Sequence, residues 1–242
     1  TVSTPNKQGF DYFYGYNCQR QAHNLYPRHL WENEQKIWLD NEIIPPGKIL
    51  DSLADPNDSK SYSVFEQDQY APSLMHEKAL NFIEKNKENQ FFLYYATPLP
   101  HLPLQIPKKY QSKYREIIGT ELPYKGGKGY FPNQYPKATY AAMISYLDQQ
   151  VGELVQKLKR LRLYENTLII FTSDNGCSPQ ANFNVLKAKG HNPSGIYRGH
   201  KADIFEGGHR VPFIIKWPKK ITAGSISHKT ICTVDLLATC AD

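Results

Sequence analysis

The stretch that decides the fold is "NTLIIFTSDNG", residues 166–176. An apolar run of strand length breaks off into an acid, an amide and a glycine. The run reads as a buried strand, short and β-branched, bounded by polar residues. Asp174-Asn175-Gly176 reads in two ways. Asn-Gly is among the commonest turn pairs. Carboxylate and amide oxygens are also hard ligands for a divalent cation, and the carboxyl end of a strand is where open α/β sheets bind ligands. Two oxygens make only part of such a shell, since calcium takes roughly six to eight.

Outward from this stretch, helices alternate with buried strands. Upstream, Ala141, Ile144, Leu147, Val151, Leu154, Leu158 and Leu161 recur every three or four residues and predict one apolar face of a long helix. Before it, "FFLYYATP" (91–98) predicts a strand buried on both faces. "APSLMHEKALNFIEKN" (71–86) predicts a helix with Pro72 near its start and Met75, Ala79, Phe82 and Ile83 inward. "KKYQSKYREI" marks a short helix in an otherwise irregular 101–135. Downstream, "VPFIIKWP" (211–218) is a third strand and "TVDLLATCA" (233–241) begins a last helix. Residues 1–66 are loop-rich, with short strands around "KIWLDNEII". The alternation predicts an α/β/α sandwich around a mostly parallel, mixed central sheet, with residues 67–242 as its core.

Composition narrows the function classes. The chain has 242 residues, 40% of them hydrophobic and 21% charged, an ordinary globular balance. No apolar stretch is long enough to span a bilayer. The net charge of +6 comes from scattered lysines rather than a stripe, which argues against nucleic acid. The 17 tyrosines and 17 prolines suggest long ordered loops with aromatic contacts. Four cysteines, none in a C-x-x-C pair, speak against a zinc ribbon and against a disulfide framework, and are expected as buried or free thiols. The chain opens "TVSTPNKQGF" without an initiator methionine, as in a processed or truncated product.

Three further groups carry candidate chemistry. His101 sits in "LPHLPLQIP", stiffened by prolines, as a proton-transfer group or as a loop histidine bonded to a carbonyl. "IYRGHKADIFEGGHRVPFI" (196–214) gathers Arg198, His200, Lys201, His209 and Arg210 around three glycines, a flexible backbone beside cations that suits an oxyanion. Within it, Glu206 is expected to pair with Arg210 and leave Lys201 for a ligand. "QRQAHNLYP" brings Arg20, His23 and Asn24 together as a substrate loop or a structural polar one.

Taken in order, "GFDYFYGYNCQRQAHNLYP", "FFLYYATPLPHLPLQIP", "YAAMISYLDQQVGELVQKL", "TLIIFTSDNG" and "RGHKADIFEGGHRVPFIIKWP" resemble the sulfatase family, arylsulfatase-type, of the alkaline-phosphatase-like superfamily. The resemblance covers nearly the whole chain. It implies that Asp174 and Asn175 ligate a divalent cation, calcium rather than magnesium. It implies that Lys201 and His101 contact the sulfate or its bridging oxygen. Sulfated small molecules or glycans would be the substrates, and a periplasmic or secreted location follows the family. Family members also carry a Cys-x-Pro-x-Arg motif whose cysteine becomes formylglycine. Here Cys18 is followed by "QRQ", Cys177 by "SPQA", Cys232 by "TVD" and Cys240 by "AD", and none fits. The family's early Asp-Asp metal pair is missing as well. The expectation is a partial catalytic domain over residues 1–242 that begins after the nucleophile segment, stops before the smaller C-terminal subdomain and is inactive alone. A phospho- or phosphonate-ester hydrolase of the same superfamily, or a non-catalytic carbohydrate binder, would share these later motifs.

Overall fold

A computed structural model describes residues 3–179 and 183–241. The chain divides into two compact units, Thr1–Leu161 and Arg162–Asp242.

The first unit opens with a three-stranded antiparallel sheet, β1 (Tyr14–Gly15), β2 (His29–Glu32) and β3 (Gln35–Trp38), in the order β1-β2-β3. The β2–β3 hairpin pairs His29 with Trp38 and turns at Asn33, whose φ of 55° is one that asparagine tolerates better than most residues. The Asn33 side-chain oxygen accepts the Phe13 amide at 2.9 Å, so the turn residue also holds the strand beside it. Three helices follow: α1 (Ala71–Lys85), α2 (Lys108–Ile118) and α3 (Pro136–Arg160). Pro72 and Pro136 occupy the first turns of α1 and α3, where a missing N–H costs nothing. Glu121 accepts the Lys137 and Ala138 amides at 2.6 and 3.2 Å, which satisfies two orphan donors of α3.

All three helices lie where the sequence puts them, and Leu158 is buried on α3 as expected, but part of the inward face of α3 differs. Its buried positions include Thr139, Ala142, Met143, Tyr146 and Gln150, while Ile144 is 44% exposed. The seam with α1 explains the offset, because its rungs are polar. Tyr146 meets Ser73 at 2.8 Å, Gln150 donates to the Pro72 carbonyl at 3.0 Å, the His76 ring donates to Glu153 at 2.8 Å, and Lys157 pairs with Glu84. A reading that counts only apolar side chains cannot see a hydrogen-bonded seam. On the other side, α2 lays Tyr110 against Tyr146 with ring centroids 4.6 Å apart. Leu25, Tyr26, Tyr70, Leu99 and Ile106 complete this core with Ala142, Met143 and Tyr146.

The run 91–98 departs from expectation. It joins no ladder among the described residues, and burial alternates along it: Phe92 and Tyr94 are 66% and 70% exposed while their neighbours are half-buried. One face is packed and the other open, so an unbroken apolar run here does not mean cover on both sides.

The second unit pairs β4 (Ile169–Thr172) with β5 (Phe213–Lys216), antiparallel, Ile169 opposite Lys216 and Thr172 opposite Phe213. The helices α4 (Phe183–Ala188), α5 (Glu206–His209) and α6 (Asp235–Ala241) complete it. Both strands stand where expected, yet neither is buried on both faces, and Ile214 is 59% exposed. Among the described residues every ladder is antiparallel, so the parallel pairing expected of the central sheet is not formed within them. The partner that β4 finds is a strand returning in the opposite direction.

Candidate active site

Asp174 and Asn175 follow the last residue of β4 by two and three positions. The Thr172 hydroxyl donates to the Pro212 carbonyl at 3.0 Å, fixing the end of β4 to the start of β5. The Ser173 hydroxyl donates to the Asn175 carbonyl at 3.0 Å, and the Asn175 side-chain nitrogen donates to the Gly176 carbonyl at 2.9 Å. With its nitrogen committed, Asn175 keeps Oδ1 as a spare acceptor. The Asp174 carboxylate is exposed and unbonded among the described residues. Two residues with hard oxygens thus follow one another on a bend held by its own hydrogen bonds.

The next residues are stitched to the cationic loop. The Gly176 N–H donates to the Gly208 carbonyl at 2.9 Å, and the Lys201 N–H donates to the Cys177 carbonyl at 2.8 Å. The approach leaves no room for side chains. A Cβ on Gly176 would stand 1.9 Å from the Gly207 carbonyl oxygen; one on Gly207, 2.2 Å from that of Gly199; one on Gly208, 2.2 Å from that of Asp203. The glycines expected to supply flexibility do the opposite. Gly207 and Gly208 are buried and bonded, and they let three backbone segments pass in contact.

Most cations of this loop are already engaged. Arg210 pairs with Glu206 at 2.8 Å, as the sequence suggests, and its guanidinium also covers Tyr197. Arg198 stacks on Phe205 at 3.8 Å. His209 donates Nε2–H to the Ile204 carbonyl at 2.9 Å. His200 donates Nδ1–H to the Lys201 carbonyl at 2.9 Å, with Asp203 at 3.5 Å. The Lys201 ammonium has no partner among the described residues, and its backbone is pinned by Cys177. Cys177 itself is half-buried, and burial pushes its thiol pKa up, away from the thiolate a nucleophile needs.

In the first unit, His101 is exposed between two cis peptide bonds, Leu99–Pro100 and Leu102–Pro103. Its Nδ1 lies 2.6 Å from the Leu102 carbonyl. A carbonyl only accepts, so Nδ1 carries the proton and Nε2 is the ring's remaining functional atom. His23, from the polar loop, stacks on His101 with centroids 5.7 Å apart and planes 7° apart. Tyr130 tilts against both rings. Of the other two residues of that loop, Arg20 is exposed and leads into the short helical turn Gln21–His23. Asn24 is structural in its contacts: its side chain accepts the Tyr26 amide at 2.9 Å, and its carbonyl accepts the Tyr16 hydroxyl at 2.8 Å.

His101 thus belongs to the first unit, and Asp174, Asn175 and Lys201 to the second. As a donor set, Asp174 and Asn175 fit two places in a hard-cation shell; among the described residues no group of three or more His, Cys, Asp or Glu could hold a metal. Sequence reasoning missed the contact role of the glycines and missed Tyr130. The signals were present in "EGG" and "GGKGY", but close approach is invisible until both segments are placed. The four cysteines are free as expected, though Cys18, Cys232 and Cys240 are exposed rather than buried.

The family model described as Sulfatase matches residues 1–242. An N-acetylgalactosamine-6-O-sulfatase of Bacteroides thetaiotaomicron is 35% identical over 162 residues, 66% of this chain and 28% of its own length. An N-acetylgalactosamine-6-sulfatase of Canis lupus familiaris is 33% identical over 67% of this chain and 27% of its own. The chain therefore spans less than a third of the length of these curated relatives. The crystal structure of Ps i-CgsB in complex with k-i-k-neocarrahexaose superimposes with a TM-score of 0.60 at 27% identity, covering 92% of this chain and 43% of that one. The structural neighbours carry the alkaline-phosphatase-like fold, which keeps the α/β class while the ladders within these residues run antiparallel. Through a family match over its whole length and a shared fold, the chain belongs to the sulfatase family.

Proposed function

We propose that these residues serve the hydrolysis of sulfate esters of carbohydrates, with Asp174 and Asn175 as ligands of a divalent cation and Lys201 and His101 as the groups that meet the sulfate. The observation that carries this reading is the double stitch of Gly176 to Gly208 and Cys177 to Lys201. It supports a site in which two unpartnered hard oxygens and an unpartnered ammonium ride on adjoining, mutually bonded loops. A sulfate ester is anionic and gains charge on its leaving oxygen as the S–O bond breaks, so fixed cations placed in advance lower the barrier. Lys201 offers a compact point charge for the sulfate oxygens. His101, with Nδ1–H tied to Leu102, presents Nε2; once protonated, that atom can hand a proton to the departing alcohol. A bound calcium ion would supply further charge stabilisation at the sulfate. None of the chain's four cysteines lies in a nucleophile motif, and no step is assigned to one.

The names of the relatives make a 6-sulfated amino sugar the first substrate to try. An exported location belongs to the same proposal; among the described residues no helix is long and apolar enough to cross a membrane. Calorimetric titration of the 242-residue chain with Ca²⁺ tests the metal half. Binding should be weak, with a dissociation constant on the order of 10⁻⁴–10⁻³ M, and Asp174→Ala should abolish it. Binding that survives Asp174→Ala would remove this pair from the site. Turnover of N-acetylgalactosamine-6-sulfate by the full-length gene product, lost in Lys201→Ala, tests the other half; cleavage of phosphate esters alone would overturn it.

A further inference from the structure

The turn between Tyr124 and Asn133 is built on glycine. Tyr124 and Asn133 exchange backbone bonds at 2.8 Å, and inside them Gly127 and Tyr130 bond each other at 3.0 and 3.2 Å. Along the turn, Gly126, Gly127, Lys128 and Gly129 have φ of +91, +132, +51 and +83°. Such a succession of positive φ is open to glycine and costly to other residues. The turn is also rooted. The Leu50 N–H donates to the Lys125 carbonyl at 2.9 Å, and Phe131, 3% exposed, packs on Phe65 with ring centroids 5.5 Å apart. A residue between this glycine tip and that buried root has little freedom. That residue is Tyr130. Its ring stands 5.3 Å from His23 and 6.2 Å from His101, tilted by 52 and 58° against two imidazoles whose own planes are nearly parallel.

We propose that Tyr130 is a positioning residue for His101: together with His23 it packs against one side of the imidazole and holds the ring so that Nδ1 faces Leu102 and Nε2 faces outward. The proposal rests on the reading of His101 as the group that meets the sulfate ester. The hydrogen bond to Leu102 sets the tautomer, but one bond to an exposed ring leaves it free to swing. The three ring centroids form a near-equilateral triangle, 5.3, 5.7 and 6.2 Å on a side, so two rings together brace the imidazole against that swing. Preorganisation of this kind is what a proton-transfer group needs, since a misplacement of about 1 Å can cost on the order of 10²-fold in rate.

The test is spectroscopic, on the 242-residue chain. Ring carbon, proton and nitrogen signals of His101 are assigned by their loss in His101→Ala and recorded at alkaline pH, where imidazoles are neutral. In the unmodified chain a nuclear Overhauser contact must join the Tyr130 and His101 rings, and the His101 nitrogens must show one fixed tautomer with the proton on Nδ1. Tyr130→Phe keeps the ring and should keep both His101 signals and tautomer. Tyr130→Leu should shift the His101 ring signals and average its two nitrogens, while the buried His76 ring, on the far seam of α1 and α3, stays unmoved as the measure of folding. A Tyr130→Leu spectrum with His101 unchanged overturns the proposal. So does the absence of the Tyr130–His101 contact in the unmodified chain, a result that needs no variant to fold. Failure of the catalytic reading would show elsewhere, as turnover by the full-length gene product indifferent to His101→Ala, and would leave these ring signals as they are.

Discussion

At the scale of single residues, Gly176 is the position with least tolerance. Its missing side chain lets the bend after β4 touch the loop that carries Lys201, with the carbonyl of Gly207 only 1.9 Å from where a Cβ would be. The atom in the way is backbone, so it cannot swing aside as a side chain would. Gly176→Ala should therefore destabilise the second unit by about 2–3 kcal/mol and lower calcium affinity as Asp174 and Asn175 lose their register. Chemical denaturation and calorimetry read the two effects separately. An alanine variant with unchanged midpoint and unchanged affinity would mean that the two loops are not in contact. The type of residue was legible in the sequence, since "DNG" announces a bend. The reason for it was not, because the obstructing carbonyl lies more than thirty positions away.

At the scale of elements, α3 carries the plainest lesson and two predictions. Its length and position follow from periodicity, yet the seam it makes with α1 carries Tyr146, Gln150, Glu153 and Lys157, which hydrogen-bond across to that helix. Apolar counting shifts that face because buried polar side chains with partners are invisible to it. Gly152 lies in this helix with nothing within 4 Å of a would-be Cβ. Gly152→Ala should raise stability by about 0.5–1 kcal/mol, seen as a higher denaturant midpoint. A lower midpoint would show an unrecognised contact on that face.

The second prediction concerns acid. The hydrogen bond from Gln149, and after it the one from His76, hold the Glu153 carboxyl below its ordinary value of 4.5, against an opposing effect of burial. A depressed carboxyl pKa contributes stability above the unfolded value, and the contribution is lost as pH falls through the folded one. With the Glu153 side chain 44% exposed, the contribution is about 1 kcal/mol or less. The unmodified chain should thus lose its advantage over Glu153→Gln as pH drops below 4.5. Parallel stability–pH curves for the two proteins would show that the bonds from Gln149 and His76 together contribute nothing.

For the whole molecule, the two units each carry part of one proposed chemistry, and the sequence made their motifs readable in order. What it could not convey was strand pairing. "FFLYYATP" and "NTLIIFTS" look alike as apolar runs, yet the first joins no ladder among the described residues and the second pairs with β5. Pairing depends on which strand comes alongside, and that is a property of topology, not of the run. The cysteines yield a prediction at this scale. Cys177 is held as a thiol by burial, and Cys18, Cys232 and Cys240 stand in contexts without Pro-x-Arg. Covalent catalysis needs an activated nucleophile, so the 242-residue chain should leave 4-nitrophenyl sulfate intact in a colorimetric assay. Release of nitrophenol at a rate above the buffer control would refute this.

The glycine turn at 126–129 has a consequence for chemical synthesis. Positive φ is the natural territory of mirror-image amino acids, and Gly129, at +83°, has nothing within 4 Å of an L-Cβ. A D-alanine introduced there by peptide ligation would suit the backbone that an L-alanine strains. The pair of epimers, identical in composition and opposite in handedness at one carbon, would weigh the cost of that turn directly, with the D form the more stable.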